Sequence, residues 1–314
     1  MFAKVKEIID NGQDFFITTH IDPDGDAIGS VFSLYWVLTS LGKSATVYLK
    51  DQVPYRYEFL PGPALIRSVI PDESYDAVFV LDCGDLPRIG EGYENLKKAK
   101  MVVSIDHHNT NDGFGRINVL DADASSTGEI LYGLYEYLGV SLSYEMAVNI
   151  YTAIITDTGS FRYENTNPKA FLICEKMLRL GVKPAEVSRM VHGNHPKERF
   201  LLLGQVLCTL RTFDEDKVAV AYITEEMFEK THSTREYSDG FAELIREVRG
   251  VEVAALMRQV GDRRYKISMR SKGSVNVADI CSRFGGGGHK NAAGCHIDGT
   301  LAEVEAKLLE ATKR

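Results

Sequence analysis

The chain has 314 residues, 44% hydrophobic and 25% charged, which is ordinary for a globular protein and long enough for two cores. Its formal net charge of −8 argues against a long nucleic-acid duplex as the default partner. No run approaches the ~20 apolar residues needed to span a bilayer, and Met1 to Glu7 lacks the apolar core of a signal peptide. The five scattered cysteines form no Cys-x-x-Cys pair, which argues against a structural zinc site or disulfide framework and suits a reducing cytoplasm.

In chain order, Asp14–His20 reads as a strand and Ile28–Leu41 as an apolar-periodic helix. Further strands are expected at Ala45–Leu49, Ala77–Leu81 and Met101–Ile105. Helices are expected at Gly128–Leu138, Tyr144–Ile155 and Pro168–Leu180, the last stopped by Gly181. Such alternation predicts an α/β fold with a mostly parallel sheet and helices on both faces. A polar stretch with two histidines, His192 and His195, reads as a partly helical connector over 186–200. It separates a domain at 1–185 from a smaller α/β domain at 201–314, with a cleft between them. In the second domain, strands are expected at Val218–Ile223, Val251–Val260 and Tyr265–Met269, and helices near Gly240–Val248, Val275–Phe284 and Leu301–Thr312.

Four apolar segments end in chemistry. The first strand ends in His20, and the tight turn Asp22-Pro23-Asp24-Gly25-Asp26 follows before a helix begins. An isolated Asp there is ordinarily a turn former or helix cap. His-x-x-x-Asp-x-Asp directly after a strand instead sets His20, Asp24 and Asp26 to converge on one or two cations. The second segment, Val78 to Leu81, ends in Asp82, and one carboxylate can bridge two metals. The third delivers Asp106-His107-His108, and the fourth, Ala153 to Thr156, ends in Asp157. Ligands of open α/β sheets gather outside the carboxyl ends of the strands. Mixed imidazole and carboxylate donors suit a divalent ion such as Mn²⁺.

Arg258 to Lys290 carries eight basic residues against Asp262 and Asp279 in an otherwise acidic molecule. Most of these read as a solvated face, with room for a local anion pocket. Gly285–Gly288 permits close backbone approach to an anion, and His289 and Lys290 follow, with a small-residue helix start expected next. His192, His195, His232 and His296 have no partner pattern, and Trp36 reads as core.

At these residues the chain resembles the DHH phosphoesterase superfamily, whose signature runs His-x-x-Pro-Asp-x-Asp, Asp, Asp-His-His, Asp. Here that order is His20 to Asp26, Asp82, Asp106 to His108, and Asp157. Phe284 to Gly294 resembles the glycine-rich His motif of the associated C-terminal domain. The resemblance covers nearly the whole chain and is greatest to the compact bacterial nanoRNase/pAp-phosphatase branch. It implies hydrolysis of very short oligonucleotides (nanoRNA) to mononucleotides, and of 3′-phosphoadenosine 5′-phosphate (pAp) to AMP, by a hydroxide held between two metals. It implies Mn²⁺ at both positions, with Mg²⁺ or Co²⁺ as substitutes. One metal would be held by His20, Asp24 and Asp82. The other would be held by Asp26, Asp82, His107 and Asp157. Asp106 would orient a histidine and His108 would face the scissile phosphate. His289 would contact the substrate phosphate beside Gly286, Gly287 and Gly288, and Arg270 and Ser271 would bind its terminal phosphate or nucleotide. The implied partners are short single-stranded oligonucleotides, pAp or dinucleotides. Neither long duplex nor membrane is expected, and a homodimer is one candidate assembly. Alternatives are a cyclic or linear dinucleotide phosphodiesterase (c-di-AMP or pApA type) and an inactive nucleotide-binding regulator.

Overall fold

Short β-branched runs, buried on both faces, build a six-stranded sheet in the first part of the chain. The computed structural model describes residues 1–71 and 73–313, with the side chains of Lys97, Lys98 and His289 outside the description. The strands are β1 (Asp14–Thr18), β2 (Ser44–Tyr48), β3 (Ile66–Arg67), β4 (Ala77–Leu81), β5 (Val102–Asp106) and β6 (Ile117–Leu120). All pairs are parallel, in the order β3-β2-β1-β4-β5-β6. The chain builds outward from β1 in one direction and from β4 in the other. The order therefore reverses between β1 and β4, the position where such sheets bind ligands.

Right-handed connections put the crossovers of the two halves on opposite faces. One face, with Phe15, Ile17, Phe79, Leu81, Val103 and Ile105, packs under six helices. These are α1 (Phe2–Asn11), α2 (Gly25–Ser40), α3 (Thr127–Leu138), α4 (Tyr144–Asp157), α5 (Pro168–Arg179) and α6 (Pro184–His192). The other face, with Phe16, Tyr48, Val78 and Val80, packs with Ile89 and Leu96 from two 3-10 turns, Leu86–Ile89 and Tyr93–Lys98. The expectation of helices on both faces thus narrows: Pro87, Gly90 and Gly92 punctuate the β4–β5 connection and leave it only short turns. The short edge strands β3 and β6, and α1, were not anticipated.

The chain divides into two units, Met1–Asn194 and His195–Arg314. The segment read as a connector consists largely of α6, whose Val187 and Val191 join the first core, and the start of α7 (Lys197–Leu207). In the second unit a mixed sheet runs in the order β11-β12-β10-β9-β8-β7. Its strands are β7 (Arg211–Phe213), β8 (Val218–Ile223), β9 (Val253–Gly261), β10 (Arg264–Ser271), β11 (Gly287–His289) and β12 (Ala292–Asp298). Only β8 and β9 pair in parallel. Residues of α10 (Val277–Ser282) and α11 (Leu301–Thr312) form one core with the sheet. Residues of α7, α8 (Glu225–Thr231) and α9 (Phe241–Arg246) form another.

One expectation is corrected here. The glycine-rich run does not lead into a helix: Gly287–His289 and Ala292–Asp298 form an antiparallel hairpin. Two of its glycines are demanded by packing. A Cβ on Gly286 would meet the Gly294 carbonyl at 2.2 Å, and one on Gly288, at φ 141°, the Ala292 carbonyl at 2.5 Å. Among the described residues no helix is long and apolar enough to cross a membrane.

Candidate metal centre

Because β1, β4 and β5 are parallel and adjacent, their C-terminal ends deliver His20, Asp82 and Asp106–His108 to one edge of the sheet. Helices bring the remainder. Asp24 caps α2, its Oδ1 accepting from the amides of Asp26 and Ala27 at 3.0 Å each, so the cap role leaves its other oxygen for a cation. Asp26 sits in the first turn of α2, and Asp157 ends α4. These two helices pack closely through glycine. A Cβ on Gly25 would lie 2.5 Å from Thr156, and one on Gly29 2.5 Å from the Asn149 carbonyl. That contact sets the first turn of α2 against the last turn of α4.

Donor atoms converge in three overlapping groups within 4.8 Å: His20, Asp24 and Asp82; Asp26, His107 and Asp157; and Asp82, His107 and His108. The first holds the three residues of one expected set; the second holds three of the four in the other, without Asp82, which the third group places beside His107. Both expected imidazole ligands are oriented from behind. His20 Nδ1 lies 2.7 Å from the Ile21 carbonyl, and His107 Nδ1 3.3 Å from the Ala124 carbonyl. A carbonyl can only accept, so Nδ1 carries the proton and Nε2 presents a lone pair to the centre. His107 Nε2 stands 3.5 Å from Asp157, 3.7 Å from Asp82 and 3.8 Å from Asp26. These gaps are long for a hydrogen bond, but suit donors that share a cation at about 2.1 Å each. The donor set therefore fits divalent ions.

The electrostatics agree. Asp26, Asp82 and Asp106 are buried, Asp157 is partly so, and among the described residues no Lys or Arg pairs with any of them. Burial, then the charges of Asp82 and Asp157, push Asp26 well above the usual carboxylate range, against the opposing Thr127 amide. Burial likewise pushes Asp157 up to about 7. Asp82 differs: burial alone would raise it, but His20, His108 and His107 together hold it well below the usual range. Its backbone is in the left-handed region (φ 52°), a conformation that places a small strain at the centre.

His108 forms its own pair. Its Nδ1 lies 2.7 Å from Asp106 Oδ1, and although burial works against the charge, Asp106 and Asp82 raise it to about 9. Asp106 joins none of the three donor groups and so supports His108.

Four supporting residues escaped the sequence reading. Asn111 donates to Asp106 Oδ2 at 2.7 Å and Asn165 to Asp157 Oδ2 at 2.9 Å. The amides of Thr127 and Gly128, at the start of α3, donate to the two oxygens of Asp26 at 2.7 and 3.0 Å, and the Thr127 hydroxyl donates to Asp82 at 3.1 Å. The only sequence signal was the capping pattern Ser126-x-x-Glu129 ahead of an apolar run.

The expected substrate residues lie in the second unit. Arg270 Nε donates to Glu243 Oε1 at 2.6 Å. Ser271 is buried, its hydroxyl 2.8 Å from the Val275 carbonyl. Gly286 to Gly288 lie in the hairpin region, and the His289 side chain is outside the described residues.

A parallel α/β unit whose strand-order reversal gathers carboxylates and oriented imidazoles defines a candidate centre for divalent cations. Residues 14–154 match the DHH family, N-terminal domain, and residues 215–314 match the DHHA1 domain. A Thermus thermophilus protein named bifunctional oligoribonuclease and PAP phosphatase NrnA is 36% identical over 301 residues, covering 95% of this chain and 89% of that one. A Bacillus subtilis protein of the same name is 23% identical over 300 residues, covering 93% of each. A crystal structure of an exopolyphosphatase-related protein from Bacteroides fragilis superposes with a TM-score of 0.91 at 27% identity, covering 99% of this chain and 94% of that one. The chain belongs to the DHH phosphoesterase family and is a hydrolase.

Proposed function

We propose that this protein hydrolyses very short oligonucleotides to mononucleotides and pAp to AMP, using two divalent cations, Mn²⁺ foremost. The observation that carries the reading is the double convergence of His20, Asp24 and Asp82 and of Asp26, His107 and Asp157 at one sheet edge, with Asp82 reaching both imidazoles. The names of the Thermus and Bacillus relatives supply the substrate class.

Asp82 would be the carboxylate shared by the two cations, and the three imidazoles around it favour its ionised form. Bound cations supply Lewis acidity and an activated water. The chain's own residues do the remainder. Asp106 accepts the Nδ1 proton of His108, so Nε2–H is left as the donor to a phosphoryl oxygen or the leaving oxygen. Asn111 holds the second oxygen of Asp106 and fixes that pair. In the second unit Arg270, steadied by Glu243, binds the terminal phosphate, its planar fork matching the oxygens of a phosphate. Ser271 and the Gly286–Gly288 run are assigned to the same phosphate.

The test is a product time course with Mn²⁺ on labelled RNA and DNA from dimers to long strands, alongside pAp and cyclic dinucleotides. Mononucleotides from the shortest strands and AMP from pAp are expected. Equal rates on long strands and dimers would remove the length preference, and preferred opening of cyclic dinucleotides would move the protein to another branch of the family.

A further inference from the structure

The loop after β4 folds back onto the loop after β1, and it carries a cation that the fold does not use. Arg88 lies in the 3-10 turn Leu86–Ile89. Its backbone is fixed from three sides. Asp85 Oδ1 accepts the Arg88 amide at 3.1 Å, the neighbouring Ile89 is wholly buried, and the Arg88 carbonyl accepts the Ile21 amide at 2.7 Å. Ile21 adjoins His20, so Arg88 is anchored one hydrogen bond from the first expected ligand.

Its side chain is exposed, and among the described residues it makes no hydrogen bond or ion pair with the protein. The neighbouring cation differs: Lys50, whose stem lies 3.0 Å from where a Cβ on Gly90 would be, pairs with Glu91 at 3.8 Å. Of the carboxylates at the centre, Asp24 commits one oxygen to capping α2 and Asp82 faces the imidazoles. The Arg88 charge nonetheless lies close enough to His20 and the buried Cys83 to act on both. A guanidinium on a rigid base, unpaired among the described residues and anchored beside an expected metal ligand, has the chemistry of an anion grip.

We propose that Arg88 is a further substrate-binding residue, gripping a non-bridging oxygen of the phosphoryl group under attack from the His20 side of the centre. This rests on the phosphoesterase reading above. A fixed positive charge at that oxygen is worth most as charge develops there, so its loss lowers turnover as well as binding. Arginine matters over lysine because two N–H groups can reach the phosphate together.

The experiment compares wild type, Arg88→Ala and Arg88→Lys. It measures binding of inorganic phosphate to the Mn²⁺-loaded protein by calorimetry, Mn²⁺ affinity alone, and kcat and KM on pAp. Because the Arg88 side chain is exposed and makes no hydrogen bond or ion pair among the described residues, both variants are expected to fold. Arg88→Ala should bind phosphate at least about 10-fold more weakly with Mn²⁺ affinity unchanged, and lose about 100-fold in kcat/KM. Arg88→Lys should be intermediate, and added guanidinium ion should partly restore the alanine variant. Phosphate binding within about 2-fold of wild type, a parallel loss of Mn²⁺ affinity, or a wild-type protein that binds no phosphate would each overturn the proposal. If the wild type binds phosphate through Arg88 yet hydrolyses neither pAp nor short strands, the proposed reaction fails and this assignment stands. If it hydrolyses them and the alanine variant does so equally, this assignment alone fails.

Discussion

Replacing Asp157 with Asn should make the metal-free protein more stable while destroying its response to metal. The Asp157 carboxyl is pushed from 3.8 up to about 7, chiefly by burial. A raised carboxylate value means that folding opposes ionisation. The cost is fully present above pH 7 and is relieved as pH falls through 7 toward 3.8. At about 1.36 kcal/mol per unit, the ceiling is about 4 kcal/mol at pH 8, falling to about 1.5 kcal/mol at pH 5. Asp157 is partly exposed and shares its repulsion with Asp26, so about half the ceiling is the working figure. Asn keeps an oxygen for the Asn165 amide, now 2.9 Å from Oδ2, so no hydrogen bond need be lost. For a unit of this size each kcal/mol moves Tm by about 2–4 °C, which gives a rise of about 4–8 °C. The assay is thermal melting of both proteins in chelator at pH 8 and pH 5, then with excess Mn²⁺. In chelator at pH 8 the variant should melt higher, the gap should narrow at pH 5, and Mn²⁺ should reverse the order. A variant that melts below wild type in chelator at pH 8, or a gap indifferent to pH, would refute the reasoning.

Asp82→Ala should abolish hydrolysis, by about 1,000-fold or more, because one side chain reaches both expected metal positions; residual turnover near wild type would contradict the two-metal assignment. Asp106→Asn removes the charge that holds His108 protonated up to about 9. Since a raised imidazole loses its proton as pH rises through the folded value, the alkaline limb of the kcat profile should move down toward the ordinary imidazole range; an unmoved limb would mean that His108 donates no proton. Gly29→Val places a Cβ 2.5 Å from the Asn149 carbonyl and should cost more than about 2 kcal/mol in denaturant melts while weakening Mn²⁺ binding, because α2 must shift from α4.

The central strands, and the ligand candidates His20, Asp82 and His107 that follow them, were legible for one reason. Buried parallel strands are continuous β-branched runs, and a polar residue that ends one must face the sheet edge. Val78–Leu81 before Asp82 and Val103–Ile105 before Asp106 carry that pattern openly. What stayed hidden lacks a local pattern. Asn111, Asn165 and Thr127 reach the centre only through tertiary packing, and their spacing from the ligands follows no period. The hairpin at Gly287–Asp298 was mistaken for a helix start because its pairs are Gly287 with Gly294 and Gly288 with Ala293. Such small residues show no alternation of apolar and polar side chains. In α1 only Val5 and Ile9 are buried, too few among Lys4, Lys6 and Glu7 to mark a helix.

The three acidic residues nearest His107 are not equivalent, and the fold explains the order among them. Asp82 is offset by three imidazoles and the Thr127 hydroxyl. Asp26 receives two amides at the N-terminus of α3, where the helix dipole favours negative charge, although burial and its neighbours still raise it. Asp157 stands at the opposite kind of position, the C-terminal end of α4, where the dipole opposes a carboxylate; Asn165 donates one hydrogen bond to its carboxylate, and His107 and His108 offset burial only in part. It therefore depends on a bound cation for ionisation near neutral pH. As acid is added it should take up its proton before Asp82 does, so the position it shares with Asp26 and His107 should empty before the one at His20 and Asp24. Mn²⁺ titrations at falling pH should then resolve two sites of diverging affinity, whereas sites that weaken together would show that the α4 terminus imposes no such order.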